Sequence, residues 1–203
     1  MLFVILAAVP LGVAAQVCRP TITVARQHRP LMRRRTPSLD PPVPTSVAQA
    51  CAWPPPVDAA NPAVHDRDDP IDERETQGYV FTGSLRRVTL ETDDCDLHME
   101  LSAPGARADA PRVVAEIPSN PMFQTARDAV LRALPAGVTL VPGHPVDLPV
   151  PIVLTLTGFA LYDTARADRS NARVTTHESA QVATLWGFHP AWAVTVGAAG
   201  GRP

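Results

Sequence analysis

The sequence predicts a mainly β protein: a small five-stranded barrel with one helix between its third and fourth strands, preceded by a proline-rich, disordered segment. Three observations lead there. From Gly78 onward the chain reads as three strands, a helix and two further strands. The first of these strands carries a central glycine, Gly83, where a closing sheet must bulge or bend. Ahead of Gly78 the chain holds Pro41-Pro42-Val43-Pro44 and Pro54-Pro55-Pro56, part of a total of 23 prolines in 203 residues, about twice the usual share.

In chain order, residues 1–15 are apolar and end in Val13-Ala14-Ala15, the small-residue pattern of a signal-peptide cleavage site. The run is shorter than the roughly 20 residues that span a bilayer, so a removed leader is expected and no permanent membrane span. Secretion or release to a periplasm follows from that reading. Residues 16–77 combine the proline clusters with the basic run Arg33-Arg34-Arg35 and an acidic patch from Asp66 to Glu73. No apolar period runs through them, so they are expected as a largely disordered linker or tail. Trp53 is the residue there with most to gain from packing on the domain.

The barrel domain is expected over residues 78–197, with a flexible tail at 198–203. Gly78 to Glu91 reads as the first strand and Asp96 to Leu101 as the second, joined by an acidic turn. Arg112 to Ile117 is the third. Asn120 then caps a helix with Pro121 at its first position, and Phe123, Ala126, Val130 and Leu134 recur at helical spacing until Pro135 stops it. Ile152 to Tyr162 is a long fourth strand and Trp186 to Val196 the fifth. This order is that of an OB-like barrel, whose helix closes one end between strands three and four.

The stretch Asp93-Asp94-Cys95-Asp96-Leu97-His98-Met99-Glu100-Leu101 carries the most chemistry. With period 2, Asp96, His98 and Glu100 share one face, and Cys95, Leu97, Met99 and Leu101 the other. Asp93 and Asp94 read first as turn formers. Glu116 interrupts the apolar run Val113-Val114-Ala115-Glu116-Ile117, and a carboxylate so placed needs a partner such as His98 or an arginine. Asp163 follows the fourth strand and His189 sits within the fifth. Asp94, Asp96, His98, Glu116, Asp163 and His189 are therefore the candidate ligand-binding residues. Were they to converge, a mixed set of imidazoles and carboxylates would suit a divalent cation. No cofactor is otherwise predicted. Of three cysteines, Cys18 and Cys51 lie outside the core strand and are the expected disulfide, leaving Cys95 as a small buried hydrophobe.

Two resemblances bear on these residues. The succession Asp93-Asp94-x-Asp96-x-His98, Ala115-Glu116-Ile117-Pro118, Thr157-Gly158-Phe159 with Asp163, and His189-Pro190 resembles a family of secreted bacterial proteins, over about 110 residues. That likeness implies compartment and fold, and no activity. The family's usual Glu-Leu-His-Pro-Val ending stands here as Gly187-Phe188-His189-Pro190-Ala191. The acidic turn at Asp93 to Asp96 also resembles the thermonuclease branch of OB-folds. Such enzymes hold phosphate with an Arg beside the third strand's end, and the chain has none there.

Composition narrows function. The formal charge is −2, so no overall positive field recruits nucleic acid or an acidic membrane. No nucleophile–base pair, zinc-finger spacing or phosphate loop is present. The expected function is that of a non-catalytic, exported binding or envelope-associated module, with a cell-envelope glycan or protein as partner; Trp186, Phe188 and Trp192 share one side and are its candidate aromatics, although core is the first reading of that side in a chain with 5% aromatics. The alternative is a metal-assisted, nuclease-like hydrolase built on the Asp, His and Glu residues.

Overall fold

A computed structural model describes residues 18–21, 29–59, 61, 67–164 and 179–197. The leader at 1–15 and the tail at 198–203 lie outside these. Five strands close a barrel: β2 (Gly78–Leu90), β3 (Leu97–Ser102), β4 (Arg112–Ile117), β5 (Val146–Tyr162) and β6 (Val182–Val196). A short β1 (Val43–Pro44) adds in parallel to the edge of β2. The order runs β2-β3-β4-β6-β5, and β5 returns to pair antiparallel with β2. All neighbours are antiparallel except β4 and β6. This is the mainly β, OB-like barrel expected, with its helix between the third and fourth barrel strands.

That helix begins as expected and then divides. Asn120 accepts from the Met122 amide, Pro121–Phe123 forms a single 3-10 turn, and α3 (Gln124–Ala133) continues from it. Phe123, Ala126, Val130 and Leu134 are buried, and α3 packs chiefly on β6. Inside the barrel lie Phe81, Leu85, Leu97, Met99, Leu101, Val113, Ala115, Ile117, Leu154, Leu156 and Phe188, each large side chain worth roughly 1.5–3 kcal/mol of burial. Phe81 and Phe188 stack with centroids 4.3 Å apart.

The bend in the first barrel strand is displaced from its expected place. The register of β2 shifts between Leu85 and Arg87, so the bulge falls at Arg86. Gly83 serves closeness instead: a Cβ there would stand 3.0 Å from Leu101 Cβ.

Residues 29–59 and 67–77 differ from the expected solvated linker. Met32, Val47, Ala50 and Ala59 are buried against the barrel or its cover. Two short helices, α1 (Pro30–Arg33) and α2 (Val47–Cys51), and a 3-10 turn at Glu73–Thr76 lie on its outside. The anchors are spaced singly between prolines, which is why no apolar period announces them. Charge does much of the fastening. Buried Arg29 pairs both of its terminal nitrogens with the two oxygens of buried Glu75 at 2.7 Å, and Glu75 also accepts from the amides of Ile71 and Tyr162 at 2.9 Å. Arg35 lies over the Phe159 ring, 4.1 Å from its centroid, and bonds the carbonyls of Glu75 and Ala160. Burial, only partly offset by Glu75, lowers the Arg35 pKa to about 10.

The disulfide also differs from expectation. Cys18 pairs with Cys95, and Cys51 is free. Cys95 precedes β3 with φ 62°, so it belongs to the acidic turn and escapes the strand's alternation. The segment at Cys18 runs beside that turn, where the Thr21 amide bonds the Asp93 carbonyl at 2.9 Å. Cys51 sits at the end of α2, partly buried, and burial pushes its thiol pKa up. Among the described residues, no helix is long and apolar enough to cross a membrane.

Candidate polar site on the barrel wall

Strand pairing builds the site. β3 and β4 set His98 directly opposite Glu116, while β4 and β6 pair in parallel at Ala115 and Phe188. The next residue of each, Glu116 and His189, therefore projects to the opposite face from the core. That face is not the hydrated one an alternating strand suggests. The strap around Arg33 lies over it, and His98, Asp96 and His189 are 1%, 1% and 4% exposed.

Glu116 is the centre. Its Oε1 lies 2.9 Å from His98 Nδ1, so that nitrogen carries a proton and donates. Its Oε2 lies 2.6 Å from His189 Nδ1 and 3.3 Å from an Arg33 terminal nitrogen. Glu91 stands 3.8 Å from the same His98 nitrogen. The other side of the His189 ring faces Asp96, with Nε2 3.3 Å from Oδ2. That contact is close but not aligned as a hydrogen bond, although Nε2 is buried. Asp96 Oδ1 accepts from the Ser119 amide at 2.9 Å.

The charges settle accordingly. Burial alone would push the Glu116 carboxyl up, but the His189 charge, the hydrogen bonds from His189 and His98, and Arg33 together hold it well below its usual 4.5. Burial would lower His189, yet the Glu116 charge and the contacts with Asp96 and Glu116 raise it above 6.5 in spite of Arg33. The His189 ring thus lies between Glu116 and Asp96, in a setting that favours its charged form.

Of the six candidate residues, Asp96, Glu116 and His189 meet: one ligand atom from each lies within 4.8 Å of the others, and such a group could hold a metal ion. His98 joins through Glu116. Asp163 joins through Arg33, whose second terminal nitrogen is 3.6 Å from it. Asp94 stands aside as a turn former, accepting from the Asp96 amide at 3.0 Å; burial and the neighbouring Asp96 and Glu116 charges raise its pKa. Glu100, on the polar face of β3, belongs to a separate buried group, bound by Arg112 and by the amide and hydroxyl of Ser179.

Sequence reasoning passed over Arg33, because a basic run between prolines looks like solvated charge. Trp186 and Phe188, candidate ligand aromatics, are 1% exposed and serve the core. Trp192 packs on Phe159, centroids 4.6 Å apart. Space beside the cluster is small. The cavity lined by Arg33, Glu116, Asp163 and His189 measures about 20 Å³, room for about one water. A larger, open groove of about 370 Å³ lies elsewhere, lined by Pro44, Thr45, Gln49, Trp53, Arg74 and Tyr79. Comparison with protein-family models, with curated proteins and with solved structures returned no match for this chain.

Proposed function

We propose that the chain is an exported, non-catalytic binding module of the cell envelope, and that its ligand, an envelope glycan, lies in the groove beside Trp53 and Tyr79. The observation that carries this reading is the contrast between the two cavities. The ionisable cluster has room for about one water, whereas the groove is of ligand size and combines ring faces with polar groups. Trp53 is half-buried and backed by Tyr79, centroids 5.1 Å apart, and a sugar ring resting on its open side meets the amide of Gln49 and the guanidinium of Arg74. Export is supported by the Cys18–Cys95 disulfide, a bond that persists where thiols are not kept reduced.

Binding of soluble cell-wall fragments and polysaccharides, followed by calorimetry, tests the proposal. Binding should weaken in Trp53→Ala and, without risk to the core, in Gln49→Ala, whose side chain is exposed. No binding to any glycan, or binding indifferent to both changes, overturns it. A second reading, a metal-assisted hydrolase, is favoured by the meeting of Asp96, Glu116 and His189, ligand types suited to a divalent cation. Divalent-dependent phosphodiester hydrolysis that disappears in Asp96→Asn would establish it over the first.

A further inference from the structure

We infer that the groove beside Trp53 selects carboxylate-bearing sugars over neutral ones, with Arg74 as the residue that reads the carboxylate. The inference rests on the glycan reading of the groove and names the class of glycan.

Among the described residues that line the groove, Arg74 alone is charged at neutral pH. Its guanidinium is held in place before any ligand arrives. Nη1 bonds the Pro54 carbonyl at 3.2 Å and Asp72 Oδ2 at 3.3 Å, and the guanidinium carbon lies 5.1 Å from the centre of the Trp186 ring. The backbone beneath is fixed as well. Arg74 belongs to the 3-10 turn Glu73–Thr76, where Asp72 Oδ1 accepts from the Arg74 amide at 2.9 Å and the next residue is the buried Glu75. An arginine pinned in this way loses little rotamer freedom on binding.

The engaged nitrogen decides what the side chain can still hold. Of the five N–H donors of an arginine, those on Nη1 are occupied, and no described residue takes Nε or Nη2. The open edge is thus the one with two parallel N–H groups, which pairs with both oxygens of a carboxylate. Asp72 offsets part of the Arg74 charge, so the edge matches a monovalent carboxylate better than a phosphate dianion. Asp72 turns both of its oxygens to Arg74, and neither it nor Glu73 lines the groove. Position agrees with charge. A carboxyl group projects from the rim of a sugar, so a ring whose face rests on Trp53 offers it sideways, to the lining of which Arg74 is part.

The test is calorimetry on the full chain with two matched pairs of probes: a disaccharide containing muramic acid against chitobiose, which lacks the lactyl carboxylate, and oligogalacturonate against its methyl ester. In at least one pair the acid should bind about tenfold or more tightly than its neutral partner, and the advantage should shrink as salt rises. Arg74→Gln should bring the ratio close to one. Arg74→Lys, which keeps the charge without the fork, should retain only part of it, and Arg107→Gln, which removes an equal charge from an exposed loop, should leave it unchanged. The ratio itself is read on the unaltered chain and needs no variant. The inference is overturned if acid and neutral partner bind alike in both pairs, if the ratio survives Arg74→Gln in a folded chain, if Arg107→Gln abolishes it equally, or if a sulfated galactan oligosaccharide binds more tightly than oligogalacturonate. Equal binding of both members that depends on Trp53 removes the inference and leaves the glycan reading standing; no binding by any probe removes both.

Discussion

Replacing Glu75 by Gln places a defined load on the strap that covers the barrel. Glu75 is fully buried and accepts four hydrogen bonds: two from Arg29, one from the Ile71 amide and one from the Tyr162 amide. The amide of Gln keeps one acceptor oxygen and turns two donors toward donors. It also leaves Arg29, 1% exposed, without a countercharge. Breaking a buried pair in this way costs about 3–5 kcal/mol. For a chain of this size that is a fall in thermal midpoint of roughly 6–20 °C. Thermal unfolding by circular dichroism reads the shift, and timed trypsin digestion reads the strap itself, since Arg33, Arg34 and Arg35 are all cleavage sites once it lifts. An unchanged midpoint together with undiminished resistance at these arginines would refute the claim that the pair fastens the segment.

Two further outcomes follow from the bonds described. Loss of the Cys18–Cys95 bridge, by reduction or in Cys95→Ser, frees a loop of sequence separation 77, for which chain entropy gives about 4.5 kcal/mol; urea unfolding with and without reductant should show it, and coincident curves would contradict the pairing. The Glu116–His189 contact gives stability a window in pH. Glu116, depressed below 4.5, contributes above that value and loses its contribution as pH falls through its folded pKa. His189, raised above 6.5, contributes below that value and loses its contribution as pH rises through its folded pKa. The protein should therefore be most stable between these values, and Glu116→Gln should flatten both limbs in urea midpoints measured across pH; identical profiles for the two proteins would refute the assignment.

The barrel was legible because its signals are local and repeated: alternation in Leu97 to Leu101, helical spacing from Phe123 to Leu134, and prolines that end elements. The acidic turn was legible too, but not its sulfur. Cys95 adopts a left-handed backbone that breaks the alternation by which it was assigned to the core. The polar row of β3 was visible as a row, while its burial was not, since what covers it comes from distant chain, the Arg33 segment upstream and Ser179 downstream. Arg29, Arg33 and Arg35 show the same limit. A guanidinium in a basic run looks identical whether it is hydrated or has five donors engaged in a barrel wall; only the carboxylates and carbonyls opposite decide. Glu116 was the exception, because a lone carboxylate in an apolar strand announces that a partner must exist.

The clamp at Glu75 bears on where this protein can be divided. A gene fragment opening at Gly78 would encode all five barrel strands and still be missing a wall. It would leave the Tyr162 amide without its acceptor, remove Trp53 from the faces of Tyr79, Trp186 and Phe188, and open the Glu116 cluster to water. A self-sufficient piece of this chain begins upstream of Arg29 as well, at or before Cys18, whose partner Cys95 lies in the barrel domain.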